Sequence, residues 1–396
     1  MFRSLRHRSY RLLMGSSLTT SSAFWILTTA QGWLVLELTD SAFWVGTIAF
    51  ILGLPALFLC PFGGLYADRF DRRKLLILGQ GASVILTLLL ATLVSTGVAQ
   101  IWHIAAISVL LGIAWGLTDP SYVAIISNLV MPDELMDAIA VDSLCWQLGR
   151  FIGPAIAGVL LGLVGMGGTF YGGAMSFVLG FVLLLPMVVP ARATTRQASA
   201  GKTLQEGLKY VRSNTVALTI ILMAASVSLF ALPYVWLMPV FARDVLGVGE
   251  LGYSQLMMAT GAGGFGGAIA AAKLGDIRRK GWLLIGSALT FMASLLLFAV
   301  SPVFSLSLVL AVIISGVNGV FQAVTTALVL SVVPDHFRGR VMGLFIITWY
   351  LPSVGSFVLG AAIDRIGFPG AVVTGALICT AIIFGVILRV PALRRL

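Results

Sequence analysis

Along this chain the charged residues fall in clusters, and between them lie apolar runs of about 20 residues or more, repeated from one end to the other. A helix needs roughly 20 such residues to cross about 30 Å of hydrocarbon, so each run predicts a transmembrane helix. Breaks at the charged and Gly/Pro-rich joints place twelve spans near 12–37, 42–67, 75–97, 100–130, 138–162, 168–190, 214–241, 250–273, 282–300, 303–331, 341–363 and 368–388. The expected class is an all-α polytopic membrane protein. The basic opening MFRSLRHRSYR leads into a full-length span with no small-residue cleavage site, so the first helix is expected to stay as an anchor.

Composition agrees with this pattern: of 396 residues, 59% are hydrophobic and 10% charged, whereas soluble domains carry about 25% charged residues. A water-soluble globule is excluded. Cys60, Cys145 and Cys379 lie singly in apolar stretches and read as small packing residues, with neither a disulfide framework nor a metal site expected. No arrangement of His7, His103 and His336 suggests a metal, and no cofactor is implied.

The net charge of +10 changes meaning once it is located. Of the 25 Lys and Arg residues, 22 fall on one side of the expected topology, only Arg243 and Arg365 on the other, and Arg150 inside a span. Short cytoplasmic loops hold the excess of positive charge, so both termini are expected in the cytoplasm of a bacterial-type inner membrane, which requires an even number of spans. The charge is an orientation signal able to meet anionic lipid, and it implies no nucleic-acid partner.

The longest hydrophilic stretch, Pro190 to Asn214, divides the chain into an N-terminal bundle (1–190), a linker (191–213) and a C-terminal bundle (214–396). In the linker Thr203 and Glu206 form a capping box ahead of Leu204, Leu208 and Val211, which predicts a short amphipathic helix at the membrane interface. The halves echo each other at an offset near 202: Pro132-Asp133 matches Pro334-Asp335, and Gly153 and Gly158 match Gly355 and Gly360. Duplicated six-helix halves are the mark of a transporter with its substrate site near the midplane.

One segment after the second span reads Gly63-Gly64-Leu65-Tyr66-Ala67-Asp68-Arg69-Phe70-Asp71-Arg72-Arg73-Lys74. It resembles the major facilitator superfamily signature, G-x-L-A-D-R-x-G-R-R/K, with Tyr66 in place of Leu and Asp71 in place of Gly. The second departure resembles the branch of enterobactin exporters and macrolide efflux pumps. The resemblance implies two pseudo-symmetric six-helix bundles in the major facilitator fold. Gly63 and Gly64 allow close helix approach. By the resemblance, Asp68 is expected to reach the free N–H groups at the start of span eleven, near Gly339-Arg340, where Arg340 would add a charge. With Arg69, Arg72 and Arg73 this forms a cytoplasmic gating motif.

Span five carries Gly149, Gly153, Pro154 and Gly158, which resembles the G-x-x-x-G-P-x-x-G motif of the superfamily's antiporters with the last Gly one place late. The resemblance favours export. Span four has neither Arg nor Lys, a departure from many drug/proton antiporters.

A charge at the bilayer centre costs roughly 2.5–3.5 kcal/mol even on insertion scales, so intramembrane charges are functional candidates. Asp119 and Arg150 lie at matching depths of roughly 17–18 Å at 1.5 Å per residue; they are placed either as a proton-coupling pair or as a permanent structural one. Asp142 is shallower, and Glu37 ends span one where water reaches it. By the resemblance, spans one, four, seven and ten line the cavity. Candidates there are Trp25 and Gln31, Trp115, Tyr234 and Trp236, and Asn318 and Gln322, with Trp146 beside them on span five. Aromatics with a few amides suit a bulky amphipathic ligand.

The sequence therefore reads as a monomeric secondary transporter that exports an amphipathic small molecule by alternating access, driven by a proton gradient. A lipid or lysophospholipid flippase of the same fold and a non-transporting sensor or scaffold are the alternatives. No HExxH, GxSxG or paired-His arrangement points to an enzyme.

Overall fold

The computed structural model describes residues 3–59, 71–190, 200–274 and 280–390. Its elements are α1 (Arg8–Thr39), α2 (Ala42–Leu59), α3 (Arg72–Ser95), α4 (Ile101–Leu129), α5 (Leu135–Leu184), α6 (Ala200–Ser213), α7 (Thr215–Ser226), α8 (Glu250–Leu274), α9 (Lys280–Val300), α10 (Phe304–Val332), α11 (Asp335–Ile347) and α12 (Leu351–Arg389). No strand occurs among the described residues.

Two elements exceed one crossing. The 50 residues of α5 reverse at Gly165, whose φ of 69° lies in the left-handed region open to glycine. A Cβ on Gly172 would lie 2.3 Å from Leu160 Cδ1, although twelve residues of straight helix would hold the two about 18 Å apart. In α12 Gly367 does the same with φ 72°. Gly355 and Gly375, on either side of it, pack against the neighbouring carbonyls of Leu229 and Phe230. Divided at these glycines, and with α11 leading into α12 and α7 into the irregular stretch after it, the described residues form twelve membrane-length segments, consistent with the expected all-α polytopic fold. α1 and α8 reach this length with many Ser, Thr and Gly residues, which dilute their apolar character.

The outside of the protein is oily, as a bilayer requires. Leu78, Leu163 and Leu388 are at least 70% exposed, and such side chains are stable only against hydrocarbon or a partner.

The chain forms two compact units. Unit 1 comprises Met1–Asp40, Ile51–Gln197 and Glu250–Met258, and unit 2 comprises Ser41–Phe50, Ala198–Gly249 and Ala259–Leu396. In unit 1, α1 lies along α5 through small residues. A methyl group on Gly149 would lie 1.9 Å from Ser21 Oγ, and one on Gly153 would lie 2.7 Å from the Ser22 carbonyl oxygen. Farther along α5, Gly158 meets Ser254 at the start of α8. Unit 2 repeats the scheme: Gly355 meets Leu229, and Gly360 meets the Ala42 carbonyl at the start of α2. The 202-residue offset thus holds in contacts as well as in letters, and it also relates Gly165 to Gly367.

The core of unit 2 is aromatic, with Phe241 centred 4.4 Å from Phe298 and 4.8 Å from Phe368. After α7 the backbone loosens into a π-turn over Val227–Ala231 and a 3-10 turn over Leu232–Val235. Pro233 explains the change, since its ring excludes the carbonyl four residues back and it has no N–H to donate.

The linker helix starts earlier than the capping-box reading expects. α6 begins at Ala200, so Thr203 lies inside its first turn. Tyr210 stacks on Phe337 at 4.6 Å, and Glu206 pairs with Arg340 at 3.1 Å. Val211 is buried, and α6 is docked against α11 through Tyr210, Glu206 and Gly207, which faces the Arg340 carbonyl.

Candidate functional site

In unit 1 the expected aromatics converge on a residue the sequence reading passed over. Phe24, one position before Trp25 on α1, has its ring centre 5.2 Å from Trp25, 5.1 Å from Trp115 of α4 and 5.7 Å from Trp146 of α5. Three helices therefore contribute to one aromatic cluster. Arg150, one turn after Trp146, places its guanidinium carbon 5.0 Å from the centre of the Trp25 ring. A cation over an indole face is attracted by the ring quadrupole, by about 2 kcal/mol when desolvated. Among the described residues, Trp25 Nε1 is buried with no hydrogen-bond partner. Trp115 Nε1 donates to Ser83 Oγ at 3.1 Å, which orients that ring from α3.

Asp142 stands two turns before Arg150 on α5. One of its oxygens accepts from Ser17 Oγ at 3.0 Å and from the hydroxyl of Tyr122. The carboxylate thereby joins α1, α4 and α5 in a single polar junction. Asp119 precedes Tyr122 by three residues on α4 and is exposed. Glu37 is exposed at the end of α1.

Two other candidates, Gln31 and Tyr234, sit in packing seams. Gln31 is 5% exposed and donates to Ser108 Oγ at 2.8 Å, tying α1 to α4. Tyr234 is buried edge-on to Phe298 in the core of unit 2. Trp236 is half-buried. Asn318 and Gln322, one turn apart on α10, have buried side-chain carbonyl oxygens without a hydrogen-bond partner among the described residues.

Of the gating motif, Gly63, Gly64, Asp68 and Arg69 lie outside the described residues. The rest has clear local work. Asp71, the departure from the usual Gly, is the N-cap of α3, and its carboxylate accepts from the backbone N–H groups of Arg73 at 2.9 Å and Lys74 at 3.2 Å. Arg73 donates to the Leu185 carbonyl at 2.6 Å, just past the end of α5, where a cation meets the negative pole of the helix. Arg340 pairs with Glu206 of the linker helix.

The same end of unit 1 holds a second charged knot. Arg6 and His7 both bind Glu134, His7 Nε2 at 2.7 Å, and Glu134 is 1% exposed. The hydrogen bond with His7, reinforced by Arg6, outweighs burial and holds this carboxyl below the ordinary glutamate range. Ser4 adds two hydrogen bonds to Asp137, and Tyr10 donates to the Ala138 carbonyl at 2.8 Å. No group of three His, Cys, Asp or Glu residues suited to a metal occurs among the described residues.

Comparison with known proteins places this architecture. The family model described as Transmembrane secretion effector matches residues 1–395. The staphyloferrin A transporter of Staphylococcus aureus is 26% identical over 352 residues, covering 87% of this chain and 86% of that protein. The enterobactin exporter of Shigella boydii serotype 4 is 25% identical over 367 residues, covering 91% and 82%. Among solved structures, the nucleoside transporter NupG superposes with a TM-score of 0.76 at 15% identity, over 96% of this chain and 99% of that one. An inward-facing bacterial homologue of the human lysosomal transporter Spinster gives 0.70 at 15%, over 96% and 94%. Both are likenesses of fold. With the helical repeat, the glycine contacts and a match across 1–395, the chain belongs to the Transmembrane secretion effector family of the major facilitator superfamily.

Proposed function

We propose that this secondary transporter exports an amphipathic small molecule of the siderophore type by alternating access, in exchange for entering protons. The observation that carries the proposal is the Phe24, Trp25, Trp115 and Trp146 cluster with Arg150 over the Trp25 face. Flat apolar surfaces hold the ring or chain portion of a ligand, Arg150 takes an anionic group, and Trp25 Nε1 offers a free donor. Asn318 and Gln322 offer acceptors in unit 2. The names of the relatives support the same substrate class.

For coupling, Asp142 is the proton carrier in this reading and Asp119 the second acid. Ser17 and Tyr122 both donate to Oδ1 of Asp142; a proton on Oδ2 leaves the two bonds in place but neutralises their acceptor and gives the carboxyl a donor of its own. A proton entering there weakens the tie between α1, α4 and α5. The basic clusters, Arg6, His7 and Arg73 in unit 1 and Arg340 in unit 2, are each assigned to the cytoplasm of a bacterial inner membrane. The working form is a monomer in contact with membrane lipid.

Efflux from proteoliposomes of a metal-free catecholate chelator, a macrolide, a dye and a labelled lysophospholipid, each with and without a pH gradient, tests the reading. Gradient-dependent efflux of the chelator or another amphipath supports it. Lipid movement alone identifies a flippase, and no flux of any probe removes the transport assignment.

A further inference from the structure

One contact engages neither the aromatic cluster nor the basic end. At the start of α2, Ser41 occupies the position from which a serine normally caps its own helix. Here its hydroxyl is turned away and donates to Asp364 Oδ2 at 2.7 Å. The first backbone N–H groups of α2 are met by that same carboxylate, Ala42 N to Oδ1 at 2.9 Å and Phe43 N to Oδ2 at 3.3 Å. Asp364, 322 residues later and on α12, therefore caps α2 in place of the local serine. An anion there satisfies orphaned N–H groups and the positive helix pole at once.

The surroundings make this a closed seam. Ser356 Oγ donates to the Gly46 carbonyl at 3.2 Å, and a methyl group on Gly46 would lie 2.1 Å from the Ser356 carbonyl oxygen. Phe357 packs against both Phe43 and Phe50 at 5.3 Å. Yet Asp364 itself is exposed, so water can replace each of its three bonds when the seam parts. A latch for a cycling protein needs this combination: directional bonds when shut and cheap hydration when open.

We infer that Asp364 is a positioning residue that holds α2 against α12 in one state of the transport cycle, by lending α2 the N-terminal cap its own sequence withholds. This goes beyond the proposed substrate and coupling, and it requires only that the two helices separate during the cycle.

The test uses the full chain in lipid nanodiscs, with Cys60→Ala, Cys145→Ala and Cys379→Ala as background and spin labels at Trp44→Cys and Ile366→Cys, both side chains being exposed. Pulsed electron-spin distance measurement then reports the shut and open populations without any substrate. Asp364→Ala is expected to move the shut-to-open ratio about fivefold toward open, the factor that follows from loss of a helix cap. Asp364→Asn, which keeps the shape but not the charge, should move it less, by about threefold. If the alanine variant does not purify as a monodisperse protein, the asparagine variant decides. Unchanged distances overturn the inference, as does a lowered unfolding midpoint with an unmoved ratio. Since no ligand enters the measurement, its failure is separable from failure of the efflux experiment.

Discussion

Arg150 and Trp25 face each other across the α5–α1 seam at 5.0 Å, and two glycines make that approach possible. Gly149 lies beneath Ser21 and Ser22, and Gly153 lies against the Cβ of Trp25 itself. Packing and chemistry therefore share one helix face, and substitutions on it separate by what they remove.

Removal of the charge should affect binding more than folding. Arg150→Gln is expected to raise KM for an anionic amphipath by tenfold or more, whereas Arg150→Lys, a compact cation that stacks poorly, should give an intermediate value. Concentration dependence of proteoliposome efflux checks this, and a neutral amphipath measured in parallel should respond less.

Closing the gap should instead affect the fold. Gly149→Leu and Gly153→Leu push α1 off α5 and should cost about 1–3 kcal/mol, the usual range for overpacking. Lower yield and a lower unfolding midpoint in detergent are the expected signs. Gly158→Ala, whose added Cβ would lie 2.9 Å from the Ser254 side chain, should be milder.

Asp142→Asn keeps the junction with Ser17 and Tyr122 in shape but removes the titrating group. Substrate exchange without a gradient should persist, while acceleration by an imposed pH gradient should be lost. If both Asp142→Asn and Asp119→Asn respond to the gradient like wild type, the proton carrier lies elsewhere.

Asp71→Ala should destabilise α3 by about 1 kcal/mol through loss of its cap, whereas Asp71→Gly, the usual residue of the superfamily signature, should cost only a few tenths. Thermal unfolding of the two variants side by side distinguishes a capping role from a purely electrostatic one.

The knot of Arg6, His7 and Glu134 gives a pH dependence with a definite sign. The folded state holds Glu134 below its ordinary range, so the contribution is present above the ordinary glutamate value of about 4.3 and is lost as pH falls through the depressed one. Amide exchange of residues 4–10 should accelerate relative to α4 below about pH 4, and Glu134→Gln should show that faster exchange already at neutral pH.

The features legible in the sequence share a physical cause. Apolar length predicted the spans because a bilayer accepts little else. The repeat was legible because Gly153, Gly355 and Gly360 are sites of close backbone contact, and Gly158 meets the Ser254 side chain, so a larger residue collides at each. What escaped depends on the third dimension. Phe24 is the hub of the aromatic cluster, yet one phenylalanine among 23 carries no local mark. Gln31 bonds Ser108 and Tyr234 packs edge-on to Phe298, partners from other helices that residue type and spacing alone do not reveal. Asp364 carries no local mark of a cap, because its partners lie 321 to 323 residues away.

The single-glycine reversals at Gly165 and Gly367 also constrain how the chain enters a membrane. Around Gly165 the sequence LVGMGGTF carries no charge, so the tip of that helical pair can cross the hydrocarbon without dragging an ion or a hydrated loop with it. The first arm of this pair carries Asp142 and Arg150, so it is the uncharged tip, not the arms, that sets it apart from the second pair. The tip beside Gly367 carries Asp364 and Arg365 and has to bring two charges across. The first tip should therefore cross the bilayer at lower cost than the second.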